Sequence, residues 1–172
     1  SRYGDTMMSK TKRMTTITML IALSIIFHMV ESMIPVPLPV PGFRLGLANI
    51  VGLVAFYLFN SRVFIGVNFM RVLLASLLRG TLFGTGFWLS LCGVSFSCLA
   101  CIVARKQTSM TIYGVSVIGS VFHCIGQVVA VTFIYEQFFM QAILPLLTLL
   151  AIPTGLFVAL VAKQVISRIK TR

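Results

Sequence analysis

Glu31, Arg44, Asn49, Asn68, Arg71, Arg79, His123 and Gln127 are the residues of this chain whose types and spacing could do chemistry. Each falls in the middle or outer part of a long apolar run, or in the loop beside one, and none lies near the inner ends. Cations inside such runs are costly and are usually kept for pairing, substrate or ion work. Arginine suits anion binding, because its planar fork grips carboxylate or phosphate through paired hydrogen bonds. Three cations, one carboxylate, two asparagines, an imidazole and a glutamine predict an outward vestibule for a small anionic or amphiphilic solute. Structural alternatives stand beside that reading. Glu31 would neutralise Arg71 or Arg79 without any ligand, Arg79 would snorkel to headgroups from a helix end, and His123 would bond a neighbouring helix. Arg71 is harder to explain away, since it lies about eight residues, or ~12 Å, from the end of its helix.

Catalysis finds little support in the residue types. Magnesium-dependent phosphoryl or prenyl chemistry needs clustered carboxylates, and the chain has three acidic residues, Asp5, Glu31 and Glu136. It carries no P-loop and no H-E-x-x-H zinc motif, and it is expected not to be an enzyme and to need no cofactor or metal. Cys98 and Cys101 form a C-x-x-C, yet neither a second cysteine pair nor a nearby histidine completes a zinc set. With Cys92 and Cys124 they read as packing residues.

The elements that must position these groups follow from composition. The chain has 172 residues, 58% of them hydrophobic and 10% charged, with a mean hydropathy of +1.02. A soluble domain carries roughly a quarter charged residues. Continuous apolar runs long enough for a ~30 Å core predict an all-α, polytopic membrane protein of six transmembrane helices; a barrel would alternate at period two. The helices are expected near 15–34, 45–59, 63–78, 85–104, 110–135 and 141–166. Pro35, Pro37, Pro39 and Pro41 stiffen an outer loop over 35–44. The first six residues read as an expression-tag remnant ahead of Met7, leaving 7–172 as a single membrane domain.

Eleven of the fourteen Lys and Arg residues then lie on one side, which places both termini in the cytoplasm. The formal charge of +11 does not signal nucleic acid, because the cations cap apolar segments rather than line one face; orientation and anionic lipid headgroups account for them. Two stripes stand out. Gly86, Ser90, Gly93 and Ser97 form a small-residue stripe suited to close helix packing. Ser116, Ser120, His123 and Gln127 form a second, too polar in its upper part to face acyl chains.

The run from Glu31 through Pro35–Gly42 and Arg44 to Asn49, with Arg71–Gly80 and Gly114–Gln127, resembles a bacterial family, the Gx transporter or heptaprenyl diphosphate synthase component I family. The resemblance covers nearly all of the chain after residue 6. That family is similar to the substrate-binding S components of energy-coupling factor (ECF) transporters, an ABC class. The resemblance implies a six-helix subunit of the bacterial cytoplasmic membrane. It would capture a micronutrient from outside and pair with a transmembrane coupling subunit and two cytoplasmic ATPases. S components often dock through an A-x-x-x-A patch on the first helix, and Thr18, Ala22 and Ile26 stand at that spacing here, with only Ala22 matching. The family label also suggests an isoprenoid- or quinone-related substrate, or alternatively a non-catalytic membrane partner of a prenyl diphosphate synthase.

Overall fold

The computed structural model describes residues 9–34, 46, 48–107, 109–136 and 139–170. Among them there are six α-helices and no strand. They are α1 (Lys10–Met33), α2 (Asn49–Leu58), α3 (Ser61–Leu78), α4 (Thr85–Gln107), α5 (Ile112–Tyr135) and α6 (Phe139–Lys170). All but α2 are long and apolar enough to cross a membrane. The end of the bundle where α1 finishes, α2 begins and α3 turns into α4 is called the outer end below. Arg44 and the proline-rich loop lie outside the described residues.

Local sequence explains most helix boundaries. The Ser9 hydroxyl accepts from Lys12 N at 3.3 Å and caps α1; Asn60 Oδ1 accepts from Val63 N at 3.0 Å and caps α3. At the far end of α3, Gly80 adopts φ +64°, its N–H bonds Leu77 O, and Thr81 N–H bonds Ser76 O. That left-handed glycine cap satisfies carbonyls which would otherwise be orphaned in an apolar medium.

Three boundaries differ from expectation by four residues or more, and the first is the start of α1, at Lys10 rather than near residue 15, where Ser9 caps it. The second helix starts at Asn49 rather than near residue 45, because Gly46 takes φ +87° and a right-handed helix cannot pass through it. Its ten residues rise only about 15 Å, half a hydrocarbon core. The last helix runs on to Lys170 and contains Pro145 and Pro153. Proline is tolerated inside membrane helices where neighbours, hydroxyls or local adjustments satisfy the freed carbonyls.

Helix α2 packs on α3 and α6, α3 on α4, α4 on α5 and α5 on α6, so these five close into a ring. Helix α1 lies against α2 and α3. Short as it is, α2 is anchored at both ends. At its inner end Arg105 of α4 donates to Phe56 O at 2.6 Å, with its guanidinium 4.5 Å from the Phe56 ring and 4.6 Å from the Tyr57 ring. One cation thereby caps a terminal carbonyl and stacks on two aromatics. Phe56 in turn stacks on Phe64 of α3 with centroids 4.5 Å apart.

Helices α4 and α5 approach each other closely. A Cβ added to Gly126 would stand 2.6 Å from the Cys92 carbonyl oxygen and 2.9 Å from Gly93 Cα. Helices α5 and α6 meet similarly at Gly155, whose added Cβ would lie 2.8 Å from Val117 Cα, and Ser116 Oγ donates to Gly155 O at 2.7 Å. Small residues at such crossings are how helices associate where lipid offers no hydrophobic gradient. Many large apolar side chains face outward, among them Met14, Leu78, Phe133 and Leu149. Gly126→Leu is therefore expected to force α4 and α5 apart and to cost about 2 kcal/mol or more. Gly66→Ala, with nothing within 4 Å of the added Cβ, should be neutral or stabilising; thermal unfolding of the two purified variants in detergent checks the contrast.

Candidate functional site

The site is built outward from Arg71, on the buried face of α3. Only 2% of its surface is exposed, and Asn68, one turn deeper on the same helix, is 3% exposed. Arg71 Nη2 donates to Asn49 Oδ1 at 3.2 Å. Asn49 can reach it because Gly46 stops α2 from starting earlier, which leaves this side chain on the first helical residue. Arg71 Nε and Nη1 have no hydrogen-bond partner among the described residues.

Glu31 supplies the carboxylate whose field acts on Arg71. It is buried at the outer end of α1 and accepts a hydrogen bond from Gly46 N. Gly46 thus sits at a junction. Its backbone is tied to α1, and a Cβ there would lie 3.0 Å from Asn49 Nδ2 and 3.9 Å from His123 Cδ2. The left-handed φ and the crowding both call for glycine at this position.

From α5, His123 and Gln127 project toward α4, where Gly93 makes room. A Cβ at Gly93 would lie 2.9 Å from His123 Cε1 and 3.1 Å from Gln127 Cγ. The small-residue stripe of α4 and the polar stripe of α5 therefore meet as notch and occupant. Gln127 is wholly buried, and neither its Nε2 nor its Oε1 has a hydrogen-bond partner among the described residues. Asn68 shows a related imbalance. Its Nδ2 donates to Phe64 O at 3.0 Å and approaches Cys98 Sγ at 3.7 Å, while its Oδ1 is left without a partner among the described residues. Gly52 of α2 fits against that amide, with an added Cβ only 2.7 Å from both terminal atoms.

The structure thus brings Glu31, Asn49, Asn68, Arg71, His123 and Gln127 to the interior at middle to outer depth. Arg79 does not join them. It is the exposed cap of α3. Its expected place in the vestibule is corrected accordingly. Thr18, Ala22 and Ile26 are exposed on α1, where they remain accessible to a partner helix.

Room for a guest is smaller than a vestibule implies. The cavity beside Asn49 and Asn68 measures about 20 Å³ and continues inward past Ser97, Cys98, Ser116 and Ser120. That is space for one water molecule. A larger, mainly apolar opening of about 780 Å³ lies between the outer halves of α5 and α6, lined by Val128, Phe133 and Leu144 with Glu136 and Gln141 among its polar members. Among the described residues no three His, Cys, Asp or Glu side chains gather as a metal site.

Sequence reasoning missed Ser24 and His28. With Glu31 they are the buried residues of α1, at spacings of four and three. The helix is thus inverted, with its polar stripe inward and its apolar residues outward, and that spacing was the available signal.

Comparison with protein families finds a match over residues 20–165 to the family described as heptaprenyl diphosphate synthase component I. The matched stretch contains every residue of the buried cluster. Comparison with curated proteins finds no match, and comparison with solved structures finds none either.

Gly93→Ala is expected to destabilise the protein by about 1–3 kcal/mol, because the new methyl strikes the imidazole and the Gln127 stem. The cost should shrink in a His123→Ala background, where the struck ring is gone. Thermal unfolding of the single and double variants checks this.

Proposed function

The chain belongs to the heptaprenyl diphosphate synthase component I family, and from that premise, together with the buried polar cluster, we propose that it is the substrate-capturing subunit of an uptake system. In this reading it acts as an S component of an ECF-type ABC transporter in the bacterial cytoplasmic membrane, with both termini inside. It captures a small anionic or isoprenoid- or quinone-related micronutrient from outside. A transmembrane coupling subunit docks on the α1 face carrying Thr18, Ala22 and Ile26, and two cytoplasmic ATPases drive release. The chain itself performs no catalysis.

One observation carries this reading: Arg71 is buried at 2% exposure with two guanidinium nitrogens lacking a hydrogen-bond partner among the described residues. A structural ion pair would use the cation fully, since unfilled donors in a low-dielectric interior are expensive. An anionic guest would fill them with charge-assisted bonds. Glu31 balances charge and fixes Gly46, so the cluster stays folded while Arg71 remains available.

The family description favours a second reading, in which the chain is a non-catalytic membrane partner of a prenyl diphosphate synthase. That role predicts co-purification with a soluble prenyl synthase and a change in product chain length when this subunit is absent. Co-purification with the coupling subunit and its ATPases instead would decide against it.

For the capture reading, vesicles containing this chain, the coupling subunit and both ATPases should accumulate substrate only with ATP. Arg71→Ala is expected to weaken substrate binding about tenfold to a hundredfold, the loss typical of a hydrogen bond to a charged group. Arg71→Lys should retain part of it, and Arg79→Ala should leave it unchanged. Thermal-shift titrations with prenyl diphosphates, quinone precursors, flavins and B vitamins provide the measurement, and binding that survives Arg71→Ala unaltered rejects the site.

A further inference from the structure

We propose that the guest of this cluster carries an amide-like donor–acceptor edge, a lactam or imide, read by Gln127, alongside an anionic group met by Arg71. The proposal deepens the capture reading and rests on it. Gln127 is 0% exposed, and both of its amide atoms lack a hydrogen-bond partner among the described residues. Neither methionine nor leucine would leave a polar group stranded at this position, so an amide without partners is a standing cost to the fold.

The amide is held rather than loose. Its stem lies in the notch at Gly93, where an added Cβ would come within 3.1 Å of Gln127 Cγ. A fixed carboxamide offers one acceptor and one donor side by side. The group that fills both at once is another cis-amide edge, with its N–H facing Oε1 and its C=O facing Nε2. A phosphate or carboxylate fills only Nε2, and a prenyl chain fills neither. The anion belongs instead to Arg71, which donates to Asn49 Oδ1; a Cβ at Gly46 would stand near both Asn49 and His123, and one at Gly93 near both His123 and Gln127, so these side chains border neighbouring backbone positions. Asn68 Oδ1, also without a partner among the described residues, adds an acceptor for a ring N–H or hydroxyl. The guest is therefore a compact polar heterocycle bearing an acid group. The cavity of about 20 Å³ beside Asn49 and Asn68 is smaller than such a molecule, so binding moves groups now packed there.

The test uses the full chain in detergent, with Gln127→Met as the near-isosteric apolar variant. Without ligand, the variant should unfold at the same temperature as the parent or higher, because an unfilled amide has been removed. Orotate and flavin mononucleotide (acid plus imide edge) should stabilise the parent and bind the variant at least about tenfold more weakly, the difference expected when a site built to pair an edge loses its partner. Geranyl diphosphate and benzoate, which have the acid without the edge, should not distinguish parent from variant. A lowered unfolding temperature for ligand-free Gln127→Met would show the amide already engaged inside the fold and overturn the proposal. Geranyl diphosphate binding more tightly than the imide probes, and equally to both proteins, overturns it while leaving capture at Arg71 intact. Failure of all four probes, together with ATP-dependent uptake that Arg71→Ala does not impair, removes both.

Discussion

A guanidinium held inside an apolar bundle is the constraint from which the rest of this structure follows. A cation in the hydrocarbon region must find donors' partners and countercharge within the protein. Arg71 finds an amide oxygen on α2 and the field of a carboxylate on α1. Meeting those needs fixes where one element begins and another ends. Helix α2 must begin at Asn49, so Gly46 breaks the chain before it. Helix α1 must reach Glu31, whose carboxylate then ties down the Gly46 N–H. The ten-residue α2 would be a poor free-standing helix, and Arg105 secures its other end.

The same economy governs the α4–α5 interface. Glycines there usually serve only to let backbones approach, and Gly126 does so against Cys92. Gly93 does something else, exchanging a side chain for room that His123 and Gln127 occupy. One helix supplies absence and the other supplies polarity. A polar group placed this way is screened from lipid by the facing helix, although among the described residues neither amide atom of Gln127 has a hydrogen-bond partner.

Much of this was legible from sequence, and the misses have physical causes. Hydropathy located the helices because long apolar runs have few alternative meanings. The pattern also singled out Asn68, Arg71, His123 and Gln127, all of which are buried in the bundle. Azimuth was not legible. Arg79 lies eight residues beyond Arg71, about 80° further around the helix by its 3.6-residue turn, and as the exposed cap of α3 it stays out of the interior. The late start of α2 was hidden as well: a glycine's positive φ is permitted by its type but not announced by it. Ser24 and His28 escaped notice because α1 is so apolar overall that its inward polar stripe reads as scattered exceptions. Arg44 and the proline-rich loop fall outside the described residues, so nothing about their geometry enters the site.

The polar groups of the cluster and a guest that would meet them are linked by a single energetic argument. On the capture reading, polar atoms of Arg71, Asn68 and Gln127 that lack a hydrogen-bond partner among the described residues raise the free energy of the folded chain, and a guest that met them would recover part of it as affinity. A site of this kind is tight for a ligand in proportion to how uncomfortable it is without one. It also discriminates sharply, since a molecule that fills the cavity but lacks the complementary groups regains nothing for the polar atoms it covers. The water-sized cavity of about 20 Å³ is smaller than such a guest, so moving the groups packed beside it is a cost set against that affinity. Close packing limits how much solvent the unfilled groups can recruit, and so preserves the deficit that a matching guest relieves.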